Sequence, residues 1–340
     1  MKSKIILADD NIHRLLFKLS LPATVGMIVM ALYNVVDTIF VGRGVGTLGI
    51  AGISIVFPFQ MFVMAVGQMI GIGGASLISR NLGANNFQRA EKTLDNILLI
   101  VIITSLVLIV PSYLFMNTLL KTFGASAPIM PYAKDYLQII LAGTQFFIFL
   151  ISFNNVIRAE GRAKIAMGTM IVSAILNTIL DPIFIFGLKL GIRGAAIATV
   201  ISQLISVIYV IYFFQSGKSI LKFRKLRFNV SIQKEIFAVG FSSFSRQVAA
   251  SFLVIILNNS LAFYGSDISI AVFGIINRIL RFIIMPIFGI AQGLQPIVGY
   301  NFGAKQFQKV IKAIKLAFIY GVAISTLGFI VLILFSKPII

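Results

Sequence analysis

A chain of 340 residues in which 59% are hydrophobic and only 11% are charged is too apolar to be a soluble domain. Lys and Arg outnumber Asp and Glu by 29 to 10, but they fall in short clusters between apolar runs, so the excess indicates membrane topology rather than nucleic-acid binding. The absence of Cys excludes disulfides, thiolate metal sites and thiol catalysis, and the lone His13 lies in a polar leader where a solvated side chain is the default. A multi-pass protein of the cell membrane is therefore predicted.

Apolar runs long enough to cross a bilayer recur along the whole chain. About 20 apolar residues are needed for one crossing, and this rule predicts an all-α bundle of nine membrane-spanning helices joined by short loops. Lys and Arg gather before the first span and in every second connection, which places the amino terminus in the cytoplasm. The predicted spans are 15–41, 48–79, 94–116, 131–157, 163–186, 194–214, 233–262, 268–299 and 309–335.

A repeated segment divides the chain into two lobes. The segment Arg80–Lys92 returns as Tyr300–Lys312 with its Asn, Gly, Ala, Phe, Gln and Lys in the same order. An even number of spans separates the copies, so the lobes are predicted to be parallel repeats about an axis along the membrane normal. The predicted first lobe is 1–215, with six spans; the basic cytoplasmic linker is 216–230; the second lobe is 231–340, with three spans of an expected six. On this reasoning the sequence is a fragment that lacks roughly another hundred residues.

Polar residues inside the predicted spans of the first lobe are the candidate functional residues. An ionised side chain near the bilayer centre costs about 2.5 to 3.5 kcal/mol, so Asp37 and Asp181 are expected to face a cavity and to function there. Both lie roughly 6 to 8 Å below the predicted outer boundary, Thr199 lies at about 9 Å, and Asn177 is one turn before Asp181. These oxygens predict a cage that binds Na⁺ or a proton. Two alternatives stay open: Asp-Pro pairs often end helices, and Thr often bonds its own helix backbone.

Six segments of the chain carry motifs that belong together: Leu19–Pro22, Tyr33–Gly42, Arg158–Gly161, Asn177–Gly187, Gly194–Thr199 and Gln295–Gly303. These segments resemble the multidrug and toxic compound extrusion (MATE) family of transporters. The resemblance covers nearly the whole chain, and the combination of motifs is specific. Within the family, the two acidic positions resemble the DinF-like branch, whose cation site lies in the first lobe.

The resemblance implies an antiporter with a two-lobe MATE-type bundle. Na⁺ or H⁺ would move inward while an organic, often cationic and aromatic, compound moves out by alternating access. No cofactor is implied, and the expected partners are a small-molecule substrate and the lipid bilayer, with the chain acting as a monomer. Carried over by motif, the coupling-cation residues are Asp37, Asn177, Asp181 and Thr199, and the substrate-lining positions are Asn34, Tyr136 and Asn154.

Three basic residues inside the second-lobe spans leave other functions open. Arg278 and Arg281 share a helix face, which is unusual for a path that serves cationic drugs. They could pair with further helices, bind lipid phosphate or select an anionic substrate, and a flippase for a lipid-linked precursor would gain support if they and Arg246 faced a central cavity. A membrane-embedded enzyme is not expected, because the chain has no HExxH, Ser/His or Cys/His set. The remaining alternative is an inactive fragment.

Overall fold

The computed structural model describes residues 6–224, 227–264 and 267–334, with side chains described in these ranges except at 251–252, 254–255, 258–259, 261–279 and 281–282. Across these ranges the chain is helical and contains no strand. After a short 3₁₀ turn at Ile6–Ala8, the helices are α1 (Ile12–Val45), α2 (Thr47–Gly83), α3 (Phe87–Leu114), α4 (Met116–Thr122), α5 (Met130–Ala159), α6 (Ala163–Pro182), α7 (Gly191–Gln215), α8 (Val230–Tyr264), α9 (Asp267–Gly303) and α10 (Phe307–Leu334).

The predicted all-helical membrane architecture is confirmed, and the helices extend beyond the predicted spans. Within the described residues, 8 helices are long and apolar enough to cross a membrane; α8 is 35 residues long but is not among them, so the ninth span stays a prediction. The helices run past the apolar runs, since α1 has 34 residues and α2 has 37. At 1.5 Å per residue these helices are about 50 Å long, against roughly 30 Å of hydrocarbon. Helix ends are set by capping and turns beyond the bilayer, which hydropathy does not report.

The sequence repeat is also a structural repeat. Asn85 and Lys305 occupy the same position in the turns after α2 and α9, with φ angles of 57° and 59°. Both turns are closed by equivalent backbone hydrogen bonds: Asn86 N donates to Asn81 O and Gln306 N donates to Asn301 O, each at 2.8 Å. These turns face each other, because a Cβ added to Gly83 would lie 1.9 Å from Tyr300 O.

The two halves of the bundle meet along α1 and α2. Helix α2 packs on α5 within the first half and on α8 and α9 in the second, while α1 packs on α6 and α9. The first half is the better enclosed, with a continuous core of buried aliphatic and aromatic side chains from α1 to α7. Helix α10 contacts mainly α9 and is the most exposed of the candidate spans. Asp37 on α1 and Asp181 on α6 therefore lie in the more densely packed half of the described structure.

The segment between α7 and α8 is fixed to the first half of the bundle. In the loop after α5, the buried Glu160 carboxylate accepts hydrogen bonds from Ser219 Oγ at 2.7 Å and from Ile220 N at 3.0 Å. On α3, Asn96 Oδ1 accepts a hydrogen bond from Asn229 N at 2.9 Å, one residue before α8 begins. The described part of the basic linker is thus a strap with defined contacts at both ends.

Candidate cation site in the first lobe

Two carboxyl groups from different helices meet inside the first lobe. Asp37 lies on α1 and Asp181 in the last turn of α6, and their side chains lie within hydrogen-bonding reach of each other. An ionised carboxylate can only accept hydrogen bonds, so a hydrogen bond between the two groups requires a proton on one of them. When both groups are ionised, Asp37 Oδ1 and Asp181 Oδ1 are buried oxygens without a donor. Such a pair can hold a proton, or a cation in its place.

Asn177 connects the carboxyl pair to α7. With its amide nitrogen turned toward Asp181, Asn177 donates to Asp181 Oδ2 at 2.8 Å, and its amide oxygen accepts from Thr199 N at 3.1 Å. Thr199 Oγ1 lies 3.2 Å from the same amide and donates to Ala195 O at 3.0 Å. Both Asn177 and Asp181 are fully buried. The structure therefore brings together the four residues that the sequence analysis proposes as a cation site, although Thr199 also bonds its own helix.

The local fold around Asp181 explains how a carboxylate comes to lie at a helix end yet inside the protein. Helix α6 does end at Pro182, as the Asp-Pro pair suggests, but the chain continues at once in a π-helical turn, Ile183–Gly187. Asp181 is 0% exposed, so it is not a solvent-facing cap. Helix α1 runs on to Val45 and α7 begins at Gly191, so both extend past the predicted spans, and the predicted depths below the membrane boundary stay predictions. Counted from these helix ends, Asp37 and Thr199 lie about 12 Å inside.

Two aromatic hydroxyls and an amide complete the surroundings of the carboxyl pair. Tyr33, one turn before Asp37 on α1, is close to both carboxylates and within hydrogen-bonding reach of Thr199. Tyr136 of α5 is buried near Asp37 and within reach of the Gln60 amide on α2. Tyr136 is among the lining residues predicted from the sequence, whereas Tyr33 and Gln60 are not. The spacing of four residues between Tyr33 and Asp37 is the signal that could have identified the first of these.

The other proposed lining residues make different contacts. Asn34 is exposed, and its side chain donates to Met30 O of its own helix at 2.7 Å. Asn154 Oδ1 accepts from Thr169 Oγ1 at 2.5 Å, which joins α5 to α6. A role for Asn34 and Asn154 in substrate contact stays a prediction. Of the basic residues in the second half, Arg246 is exposed, while Arg278 and Arg281 lie outside the described side chains.

The fold and the site together define a class of protein. A bundle with 8 candidate spans that encloses a carboxyl pair in its apolar interior is a multi-span membrane transporter. In the described part of the chain, no group of three or more His, Cys, Asp or Glu side chains could hold a metal ion.

The family follows from comparison with known proteins. The MatE family model matches residues 22–183 and 243–340, most of the chain, and the chain belongs to this family. The multidrug export protein MepA of Staphylococcus haemolyticus (strain JCSC1435) is 30% identical over 296 residues, which are 86% of this chain and 65% of that protein. The chain thus spans less than two thirds of the length of that relative.

Solved structures give the same result. The MATE multidrug transporter DinF-BH, solved in complex with rhodamine 6G, is 43% identical and superposes with a TM-score of 0.89 over 99% of this chain and 76% of that one. A structure described as the outward-facing conformation of a multidrug resistance MATE family transporter of the MOP superfamily is 27% identical, with a TM-score of 0.94 over 100% of this chain and 76% of that one. The resemblance to the family found in the sequence, including its DinF-like branch, is confirmed.

Proposed function

We propose that this protein exports small organic compounds across the cell membrane in exchange for Na⁺ or H⁺ bound between Asp37 and Asp181. The observation that carries the proposal is the contact of these two carboxyl groups inside the first lobe, with Asn177 and Thr199 beside them. The names of the relatives support the export of drugs, since one is a multidrug export protein and another transporter was solved with rhodamine 6G.

The coupling follows from the charge on the pair. With neither proton nor cation bound, two negative charges would be held together in a medium of low dielectric constant, which is unfavourable. A bound proton or Na⁺ removes most of this repulsion. In the proton-bound and in the Na⁺-bound state, Asn177 can present its amide oxygen or its amide nitrogen to the site. A change of ion occupancy therefore alters the forces between α1, α6 and α7, which carry the site. Substrate release and ion entry would be linked through these helices.

Transport in proteoliposomes tests the proposal. We expect efflux of rhodamine 6G to follow an imposed Na⁺ or H⁺ gradient, with the two gradients applied separately to identify the ion. Asp37→Asn and Asp181→Asn should each abolish gradient-driven efflux, because an amide cannot exchange a proton or neutralise a cation. Asp135→Asn is the matched control, since Asp135 forms an exposed ion pair with Arg193 at 2.7 Å and lies elsewhere. Wild-type efflux by both Asp37→Asn and Asp181→Asn would contradict the proposal.

A further inference from the structure

A cavity of about 600 Å³ lies between α3 and the strap that leads to α8. The cavity is separate from the carboxyl pair, and none of its lining residues contributes to the candidate cation site. Its lining combines cationic, amide and aromatic side chains: Gln88, Lys92, Asp95, Asn96, Arg224, Arg227, Phe228 and Asn229.

The cavity lies at the level of lipid headgroups. The part of α3 from Ile97 to Leu114 has no charged residue and is roughly 27 Å long at 1.5 Å per residue, close to the hydrocarbon thickness of a bilayer. Residues 87–96 of α3 extend about 15 Å beyond it. The cavity-lining residues of α3 all belong to this extension. By the distribution of Lys and Arg, this is the cytoplasmic side.

Two cationic side chains in the cavity have no acidic partner among the described residues. Both acids nearby are already engaged by Arg224: its guanidinium forms an ion pair with Glu91, and its backbone nitrogen donates to Asp95 Oδ1 at 3.3 Å. Lys92 and Arg227 are exposed and take part in no ion pair in the described part of the chain. The cavity therefore presents positive charge that is available to an anion.

An apolar surface continues from the cavity toward the bilayer centre. Ile103, Leu106 and Val110 lie 11, 14 and 18 positions after Lys92, which puts all four on one face of α3. The three apolar side chains are 45%, 54% and 51% exposed. Phe228, beside the cationic residues, is 61% exposed. A molecule with a charged head and an apolar tail fits this arrangement better than a free anion.

We propose that the cavity binds the phosphate headgroup of an anionic phospholipid, held by Lys92 and Arg227, with an acyl chain lying along the exposed face of α3. The phosphate takes the position between the strap and α3, where Asn96 Nδ2 donates to Arg227 O at 3.2 Å and so sets the place of Arg227. The lipid then bridges α3 and the segment that begins α8. This site needs neither the proposed transport activity nor the carboxyl pair.

Native mass spectrometry of the detergent-solubilised chain tests the lipid site. Phosphatidylglycerol and phosphatidylcholine of the same acyl composition are titrated separately, and the wild type should bind phosphatidylglycerol more tightly. Each Lys or Arg near an anionic lipid strengthens its binding. The double variant Lys92→Gln with Arg227→Gln should therefore bind phosphatidylglycerol about 10- to 30-fold more weakly than the wild type. Its affinity for phosphatidylcholine should be unchanged. Lys121→Gln with Lys134→Gln, which removes the same charge from a different surface cavity, should leave both affinities as in the wild type.

A soluble headgroup separates a lipid site from a general anion site. Glycerophosphoglycerol, the deacylated form of phosphatidylglycerol, carries the same phosphodiester without acyl chains, and we expect it to compete poorly with phosphatidylglycerol. Glycerophosphoglycerol binding as tight as that of phosphatidylglycerol would overturn the proposal in favour of a free-anion site. Equal phosphatidylglycerol affinities for the wild type and the Lys92→Gln with Arg227→Gln variant, with both proteins showing the same unfolding temperature, would overturn it altogether.

Discussion

The contact between the two repeat turns predicts that Gly303→Ala will push the lobes apart on the predicted cytoplasmic side. A Cβ on Gly303 would lie 1.9 Å from Arg80 O, and the reciprocal Cβ on Gly83 would lie 1.9 Å from Tyr300 O. A carbon and a carbonyl oxygen approach to about 3.3 Å without repulsion, so the turns must separate by more than 1 Å. Overpacking of this kind costs about 1 to 3 kcal/mol. Such a cost changes the ratio of closed to open forms by roughly 5- to 150-fold.

Spin-label distances measure this separation directly. The chain has no Cys, so Gln88→Cys and Gln308→Cys, at exposed and equivalent positions of the two repeats, label both turns without background. We expect Gly303→Ala to lengthen the mean distance or to add a longer population in double electron–electron resonance. Gly83→Ala should have the same effect, since its contact is the mirror of the first.

The control is Gly321→Ala in α10, where an added Cβ meets no atom within 4 Å. It removes a helical glycine in the same way, which should stabilise α10 by roughly 0.5 to 1 kcal/mol and leave the label distance unchanged. If Gly303→Ala and Gly83→Ala both fold and give the distance distribution of the control, the reasoning is refuted, because the turns would then not be in contact.

Three stability predictions concern other parts of the bundle. Burial raises the pKa of Glu160 from 4.5 to about 7, against the opposing effects of its hydrogen bonds and of Arg162. The native state therefore binds this proton more tightly than the unfolded state does. The resulting stabilisation is complete below pH 4.5, and about 3 kcal/mol of it is lost as the pH rises through 7. Thermal unfolding at pH 5 and pH 8 should show this loss for the wild type and not for Glu160→Gln. Asn96→Ala should lower the free energy of unfolding by about 1 to 3 kcal/mol and speed hydrogen exchange at the Asn229 amide. Asn34→Ala loses only a hydrogen bond within one exposed helical turn, so the free energy of unfolding should change little. Phe153→Ala should lower the free energy of unfolding by about 3 to 5 kcal/mol, because the ring is fully buried and its centroid lies 4.1 Å from that of Phe149, on which it stacks. Chemical denaturation should show no such loss for Phe318→Ala, at an exposed position.

The membrane architecture and the carboxyl pair could be predicted because both depend on strong, local signals. A long apolar run is predicted to form a helix in a bilayer, because its backbone polar groups find no water there and must hydrogen-bond to one another. Against that background, Asp37 and Asp181 stand out by charge alone, and Asn177 follows from helical spacing. The repeat of Arg80–Lys92 at Tyr300–Lys312 is equally accessible, because six of its thirteen residues are identical at a fixed offset of 220.

The parts that sequence does not predict depend on contacts between distant segments. Gln60 approaches Tyr136 only because α2 packs along α5, and a single Gln in an apolar helix does not by itself identify its partner. The sequence shows the strap only as a basic linker, since its charges are visible there and its partners are not. Glu160 and Asn96 hold it through hydrogen bonds to residues 59 and 133 positions away. Helix bounds differ for a simpler reason, because hydropathy reports the bilayer and not the capping residues outside it.

The strap bears on how the two halves of the bundle can move. Asn229, held by Asn96, immediately precedes α8, and Glu235 on its second turn pairs with Arg89 of α3 at 2.5 Å. Further along the same helix, a Cβ added to Gly240 would lie 2.0 Å from Met69 O of α2. The first turns of α8 are thus attached to α3 and packed tightly on α2. Separation of the halves on this side therefore requires either that these contacts break together or that α8 bends beyond Gly240, with its first turns staying on the first lobe.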